Sequence, residues 1–199
     1  MLYALPALVV GLVAGLATGG RISRLSLGGL RALPLLALGI ALQAGSGAAG
    51  SMAAPVLLAS DAALLVFALA NVSGRGVSET PAAGVLSVAG AGMALVAVGV
   101  GLNLVPISAD GGMPVRSSAI VASGLARPGG VDRVQVTGKH HLAGPGDRFV
   151  GLADVIPVRP LHTVVSPGDL VLSAGIATVL AGLLHRRRRV GVRPVQLEV

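Results

Sequence analysis

The stretch SPGDLVLSAGIATVLAGLLHRRRR, residues 166–189, decides how the chain is read. Ser166 is a helix-capping residue, Pro167 suits the first helical position, and Asp169 is an acid three residues after the cap. An apolar run from Leu170 to Leu184 follows and meets four arginines. Residues 167–185 would make a helix of about 28 Å at about 1.5 Å per residue. That is close to the thickness of a bilayer's hydrocarbon core. A capped apolar helix that stops at a cluster of positive charge is the pattern of a membrane span ending at the cytoplasmic face.

The rest of the chain repeats this pattern. Of 199 residues, 53% are apolar and only 12% charged, about half the charge of a soluble domain. Further spans are expected at residues 2–20, 32–50, 53–72 and 82–105. The first has no basic region ahead of it and its arginines follow it, so it reads as a retained span rather than a cleaved leader. It carries Gly11, Gly15 and Gly19 at four-residue spacing, which stacks small residues on one helix face. Pro55 opens the third span, and Pro106 is expected to help end the fourth. With no cysteine, disulfides and thiolate metal sites are excluded.

The net charge of +7 follows topology rather than a nucleic-acid-binding face. Arg21, Arg24 and Arg31 put the first connection in the cytoplasm, and Arg75 and the tail (Arg186, Arg187, Arg188, Arg189 and Arg193) fall on the same side. The expected fold is therefore an all-α membrane protein of five transmembrane helices, multi-pass in the plasma membrane, with its N-terminus out and C-terminus cytoplasmic. It divides into a four-helix region (1–107), an extracytoplasmic cap loop (108–164), a fifth helix (165–185) and a basic tail (186–199). The bilayer is the expected partner. Anionic lipid headgroups would meet Arg186 to Arg189, and the glycine faces would suit a homodimer.

The cap loop has a pattern of its own, and a loop that long points to a functional element. Asp110-Gly111-Gly112 is a turn signal. Pro114 is expected to open a short amphipathic helix reaching Ala126, stopped by Arg127-Pro128-Gly129-Gly130. An extended segment is expected at 131–137, followed by a turn-rich connection over 138–146 and an apolar run over 149–158 with Asp154 embedded in it.

Several runs here resemble an uncharacterised bacterial membrane family, domain of unknown function 5317. They are Asn103-Leu104-Val105-Pro106-Ile107-Ser108-Ala109-Asp110-Gly111-Gly112-Met113-Pro114-Val115, Gly138-Lys139-His140-His141-Leu142, Asp154-Val155-Ile156-Pro157 and Ser166-Pro167-Gly168-Asp169. The resemblance follows the whole chain in span order and is specific from Asn103 to Asp169. It departs from the family's pattern at Asp110, commonly an amide, and at Ala153, commonly Gly. The resemblance implies a polytopic membrane protein and no particular chemistry.

Three groups of residues are candidates for chemistry. Asp61, near the middle of the third span, costs about 2.5–3.5 kcal/mol to insert if charged. It is either a proton or cation relay or a protonated Asp hydrogen-bonded between helices, to Gln43 or to a neighbouring carbonyl. His140, His141 and Asp154 offer acid–base groups at the outer interface. His140 and His162 are the candidate metal ligands, although the spacing fits no closed zinc site. Adjacent histidines on an extended backbone point to opposite faces. Asn103, Asp110, Gly111, Gly112, Arg116 and Lys139 are candidates for holding a headgroup, with the Asp-Gly-Gly turn as a backbone nest. No Walker loop, nucleophile elbow or dinucleotide fingerprint is present, and no cofactor is implied. The leading expectation is a non-enzymatic binding or scaffold protein that works through its cap. The alternatives are a membrane-embedded enzyme with a His/Asp site and a small transporter using Asp61.

Overall fold

The computed structural model describes residues 4–25, 27, 29–73, 87–134, 136 and 140–185. The expected loop with Arg75, Glu79 and Pro81, as well as Lys139 and the arginine tail, lies outside these residues. Most of the described chain is helical, and the strands form two small two-stranded sheets. The helices are α1 (Ala4–Ala17), α2 (Leu33–Gly45), α3 (Ala53–Val72), α4 (Val88–Asp110), α5 (Ser117–Ser123) and α6 (Pro167–Leu184). The strands are β1 (Met113–Val115), β2 (His140–Leu142), β3 (Ile156–Val158) and β4 (Thr163–Val165).

Three helical segments are long and apolar enough to cross a membrane: Gly50–Val72, Val88–Asp110 and Pro167–Leu184. Two more, Leu5–Ala17 and Leu33–Ala48, are apolar but shorter. α1 stops because Thr18 turns its hydroxyl back to the Ala14 carbonyl at 2.7 Å and Gly19 adopts a positive φ of 92°. α2 starts where expected, after the left-handed Ala32 and with Pro34 in its first turn, but its α-helix ends early at Gly45, where a 3-10 turn, Ser46–Ala48, follows. Asn71 then pins α2 to α3. Its side chain accepts from the Arg31 amide at 2.8 Å and donates to the Arg31 carbonyl at 3.0 Å.

The long helices pack in the order α1, α6, α4, α3, α2. Glycines set the closeness of this row. Gly92 and Gly99 on α4 face Gly168, Gly175 and Gly182 on α6, each set repeating at seven residues, the spacing of a seam between two helices. A Cβ added at Gly175 would sit 2.6 Å from the Val96 amide nitrogen, and one at Gly99 would sit 2.5 Å from that of Leu172. Gly11 and Gly15 seat α1 on Ala177 and Ala181 of α6, so these two of the three stacked glycines pack within the chain. Gly19 meets open space and belongs to the turn.

The segment between α4 and α6 departs from expectation at several points. Pro106 does not end α4: the helix runs on through it to Asp110, where Gly111 at φ 69° stops it. The missing N–H is outweighed by burial, because Pro106 and Ile107 are both enclosed and Ile107 packs with Leu57, Met113 and Ala153. Pro114 opens no helix. It lies in β1, which pairs in parallel with β2 in the register Met113 with His140 and Val115 with Leu142. The short helix is α5, closed by Gly124 at φ 81° well before Ala126. The 138–146 connection thus contains a strand, while Val131–Arg133 is a 3-10 turn where an extended segment was expected. β3 and β4 form an antiparallel hairpin. Val115, Ala119, Ile120 and Val164 give this cap its own apolar core. Burying each larger aliphatic side chain contributes about 1.5–3 kcal/mol.

Candidate functional site

Ser166, Asp169 and Asn103 join α6 to α4. Ser166 Oγ accepts from the Asp169 amide at 2.9 Å, and the Ser166 amide donates to Asp169 Oδ2 at 3.1 Å, closing the capping box that the sequence foretells. Asn103 completes it from the neighbouring helix. Its Nδ2 donates to Asp169 Oδ1 at 2.8 Å, and its Oδ1 accepts from the Ser166 hydroxyl at 2.7 Å. Gly168 leaves room for this carboxamide, since a Cβ there would collide with Asn103 Oδ1.

One turn into the cap, β1 gathers two further side chains. On one side it pairs with His140 through β2. On the other it forms a parallel bridge to Asp154. The Asp154 amide donates to the Pro114 carbonyl and its carbonyl accepts from the Arg116 amide, both at 3.0 Å. These contacts fix the backbone of Asp154, so its buried carboxylate reaches His140 Nε2 at 3.4 Å.

The opposite face of β2 carries a different pair. His141 Nε2 lies 3.0 Å from Asp147 Oδ1, and Asp147 Oδ2 accepts from the Gly144 amide at 2.7 Å. That backbone N–H and the imidazole hold the Asp147 carboxyl below its usual range. The two histidines therefore serve two sites, as the alternation of a strand requires.

His140, Asp154, Asn103 and Asp169 share one cavity of about 550 Å³ with Asp61 and Gln43. The volume falls within the range of small-molecule sites. Five of the six polar groups lie toward the cap, and Asp61 sits deeper, near the middle of α3. Asp61 is one helical turn beyond Leu57, which packs under Met113, and Gln43 near the end of α2 accepts from Ser60 at 3.0 Å. Toward the other end the lining is apolar, with Phe67, Met93 and Leu183, and Leu25, Leu27 and Leu30 contribute from the α1–α2 connection. Leu8 and Ile40 line the cavity from α1 and α2, the ends of the helix row, and are 43% and 51% exposed. Among the described residues the cavity is therefore open between these two helices.

The remaining candidates go elsewhere. His162 occupies the left-handed position of the β3–β4 hairpin at φ 44°, near Gly124, a backbone role that histidine tolerates better than most residues. Among the described residues no group of three or more His, Cys, Asp or Glu could hold a metal ion; His140 belongs to β2 and His162 to the β3–β4 hairpin. Asp110 Oδ1 accepts from the Arg148 amide at 2.9 Å, and its Oδ2 is buried without a hydrogen-bond partner. The Asp-Gly-Gly turn thus brings a carboxylate of its own to the place expected to hold an anion. Arg116 is exposed ahead of α5. Asp169 and Asp147 were not among the expected site residues. Asp169 was legible only as a cap, and Asp147 carries no motif.

The molecule is a mostly helical protein with three helices able to cross a membrane and a capped, laterally open cavity among them. It belongs to a family described as "Family of unknown function (DUF5317)", whose model matches residues 82–181, about half of the chain. The match runs from just before α4 through the cap and most of α6, and it takes in the four resembling runs. No curated protein and no solved structure matches the chain.

Proposed function

We propose that this is an integral membrane protein that binds an amphiphilic small molecule in the cavity between its helices, with the molecule's polar head under the cap. The observation that carries the reading is the polarity gradient of the cavity. Five polar side chains gather at the capped end with Asp61 below them at mid-depth, apolar side chains line the other end, and among the described residues the mouth opens sideways. Such a site suits a ligand that arrives with its chain in the hydrocarbon and its head near the interface. In this reading α1 and α2 join the three longer helices as spans of the plasma membrane, the cap is extracytoplasmic and the C-terminal tail is cytoplasmic.

Two measurements test it. The chain has no cysteine, so Gly146→Cys in the cap and Ser23→Cys between α1 and α2 can each be labelled singly with an impermeant maleimide. Both positions are exposed. On intact cells Gly146→Cys should label and Ser23→Cys should not. The reverse pattern would sink the orientation. Protein purified in a nonionic detergent should also carry an amphiphile detectable by mass spectrometry. Ile176→Trp, which fills the cavity, should release it.

The His140–Asp154 contact favours a second reading, a membrane-embedded enzyme. A carboxylate that orients an imidazole is the arrangement of a general base. If it is one, His140→Asn should leave the amphiphile bound and abolish its conversion.

A further inference from the structure

Phe149 stands in the cap at φ 53°, in the left-handed region, and is 57% exposed. A bulky side chain is an outlier there, where glycine or asparagine fits more readily. The fold holds this corner from both sides. The Arg148 amide donates to Asp110 Oδ1 at 2.9 Å, and the Leu152 amide donates to the Phe149 carbonyl at 2.7 Å. A strained aromatic residue held in place and turned outward is the kind that a chain keeps for contact with something beyond itself. We infer that the Arg148–Phe149 corner is a membrane-interface anchor: the ring enters the glycerol-ester layer of the outer leaflet, and the Arg148 guanidinium meets lipid phosphate. This rests on the membrane reading above and names a lipid contact of the cap that is separate from the cavity.

The depth of the corner follows from its neighbours. Asp110 is the last residue of α4, and Val150–Leu152 pack beside that helix. Ala153, next along, is fully buried and packs with Leu57 and Ile107, about one turn inside the ends of α3 and α4. Val98 and Val105 on α4 are 53% and 36% exposed and mark the surface that lipid covers in the membrane reading. Asp110 lies five residues beyond Val105, about 7.5 Å further along the helix. The corner therefore sits where hydrocarbon gives way to headgroups. Aromatic rings favour that layer, and an arginine beside one presents a planar fork of donors to phosphate oxygens. Arg148 is itself exposed, so the charge and the ring reach the surface together. In water the same exposed ring would gain nothing to offset its strained backbone.

The chain has no tryptophan, so a single introduced one reports its own surroundings. Full-length Phe149→Trp and Val98→Trp proteins are each reconstituted into vesicles of phosphatidylcholine and phosphatidylglycerol whose acyl chains carry bromine either near the head end or near mid-chain. Phe149→Trp should emit at shorter wavelength than tryptophan in water and lose most of its intensity to the head-end bromines. Val98→Trp, midway along α4, should be quenched by the mid-chain bromines. Adding Arg148→Glu to Phe149→Trp should cut the head-end quenching by more than half, because a carboxylate then faces the phosphates. Water-like emission without quenching from Phe149→Trp, beside a quenched Val98→Trp, overturns the inference and leaves the membrane reading intact. Blue-shifted emission that neither bromine touches also overturns it, and marks a second copy of the chain as the occupant. Quenching that Arg148→Glu leaves unchanged overturns the phosphate contact. No quenching of Val98→Trp by either lipid overturns the membrane reading itself.

Discussion

Asn103 on α4 donates to the carboxylate of Asp169 on α6 at 2.8 Å, and this bond ties together two helices separated by the whole cap. The same carboxamide accepts from Ser166, so one side chain serves both members of a capping box that is not its own. Asn103→Leu, close in size, should lower stability by about 1–3 kcal/mol, because it leaves buried polar groups on α6 without a partner. A thermal melt in detergent measures it. An unchanged midpoint would mean that water replaces the amide.

Glycine substitutions should have opposite signs at two positions on the α4–α6 pair. A Cβ at Gly175 would press on the backbone of Val96, and neither helix can yield locally, so Gly175→Ala should cost about 1–3 kcal/mol. A Cβ at Gly101 meets nothing within 4 Å. Gly101→Ala should instead gain about 0.5–1 kcal/mol from helix propensity. The pair of melts tests the packing directly, since propensity alone predicts a gain at both.

The cap should carry an acid-sensitive contribution from Asp147. Its carboxyl is held below the ordinary value of 3.8 by the Gly144 amide and by His141. A depressed folded value means that the contribution is present above the unfolded value, about 3.9, and is lost as pH falls through the folded value. Asp147→Asn should remove that part of the acid dependence and lower stability above pH 5, where the wild-type contribution is complete. Acid titration followed by amide exchange in the cap would show it. Identical acid profiles for the two proteins would refute the assignment.

His162 should behave as a turn residue. His162→Gly should keep the β3–β4 hairpin, whereas His162→Val should lose about 1–3 kcal/mol, because a β-branched residue is strained at φ 44°. Thermal stability in the presence and absence of zinc distinguishes this from ligation. A zinc-dependent midpoint in the wild type that His162→Gly abolishes would reverse the assignment.

What the sequence disclosed was local. Ser166 and Asp169 stand three apart and write their capping box into the chain, and the expected third span coincides with α3 because its apolar run is bounded by turn chemistry on both sides. What it hid was non-local. Pro106 is buried inside α4 and its neighbour Ile107 packs with Leu57 and Met113 from other elements, so a residue that breaks helices elsewhere sits inside one here. β1 and β2 are three residues each, too short to show alternation, and their parallel pairing joins segments with a helix and a turn between them. Asp61, Gln43, His140 and Asp154 stood out one by one as polar residues in apolar or turn-rich surroundings. Only the folded chain brings them to the same cavity, and Asp169, already explained as a cap, gave no sign of belonging there.

The sideways mouth between α1 and α2 alters what affinity means for this protein. A ligand reaching it through lipid is dilute or abundant by its mole fraction in the leaflet, whatever its concentration in water. Short-chain analogues with the right head would partition poorly and look inactive in aqueous assays. Apparent dissociation constants should rise in proportion as detergent or lipid is added at fixed ligand. In a cell, occupancy would then track the composition of the surrounding leaflet, and a change in lipid make-up would register in the protein without any change in the solution around it.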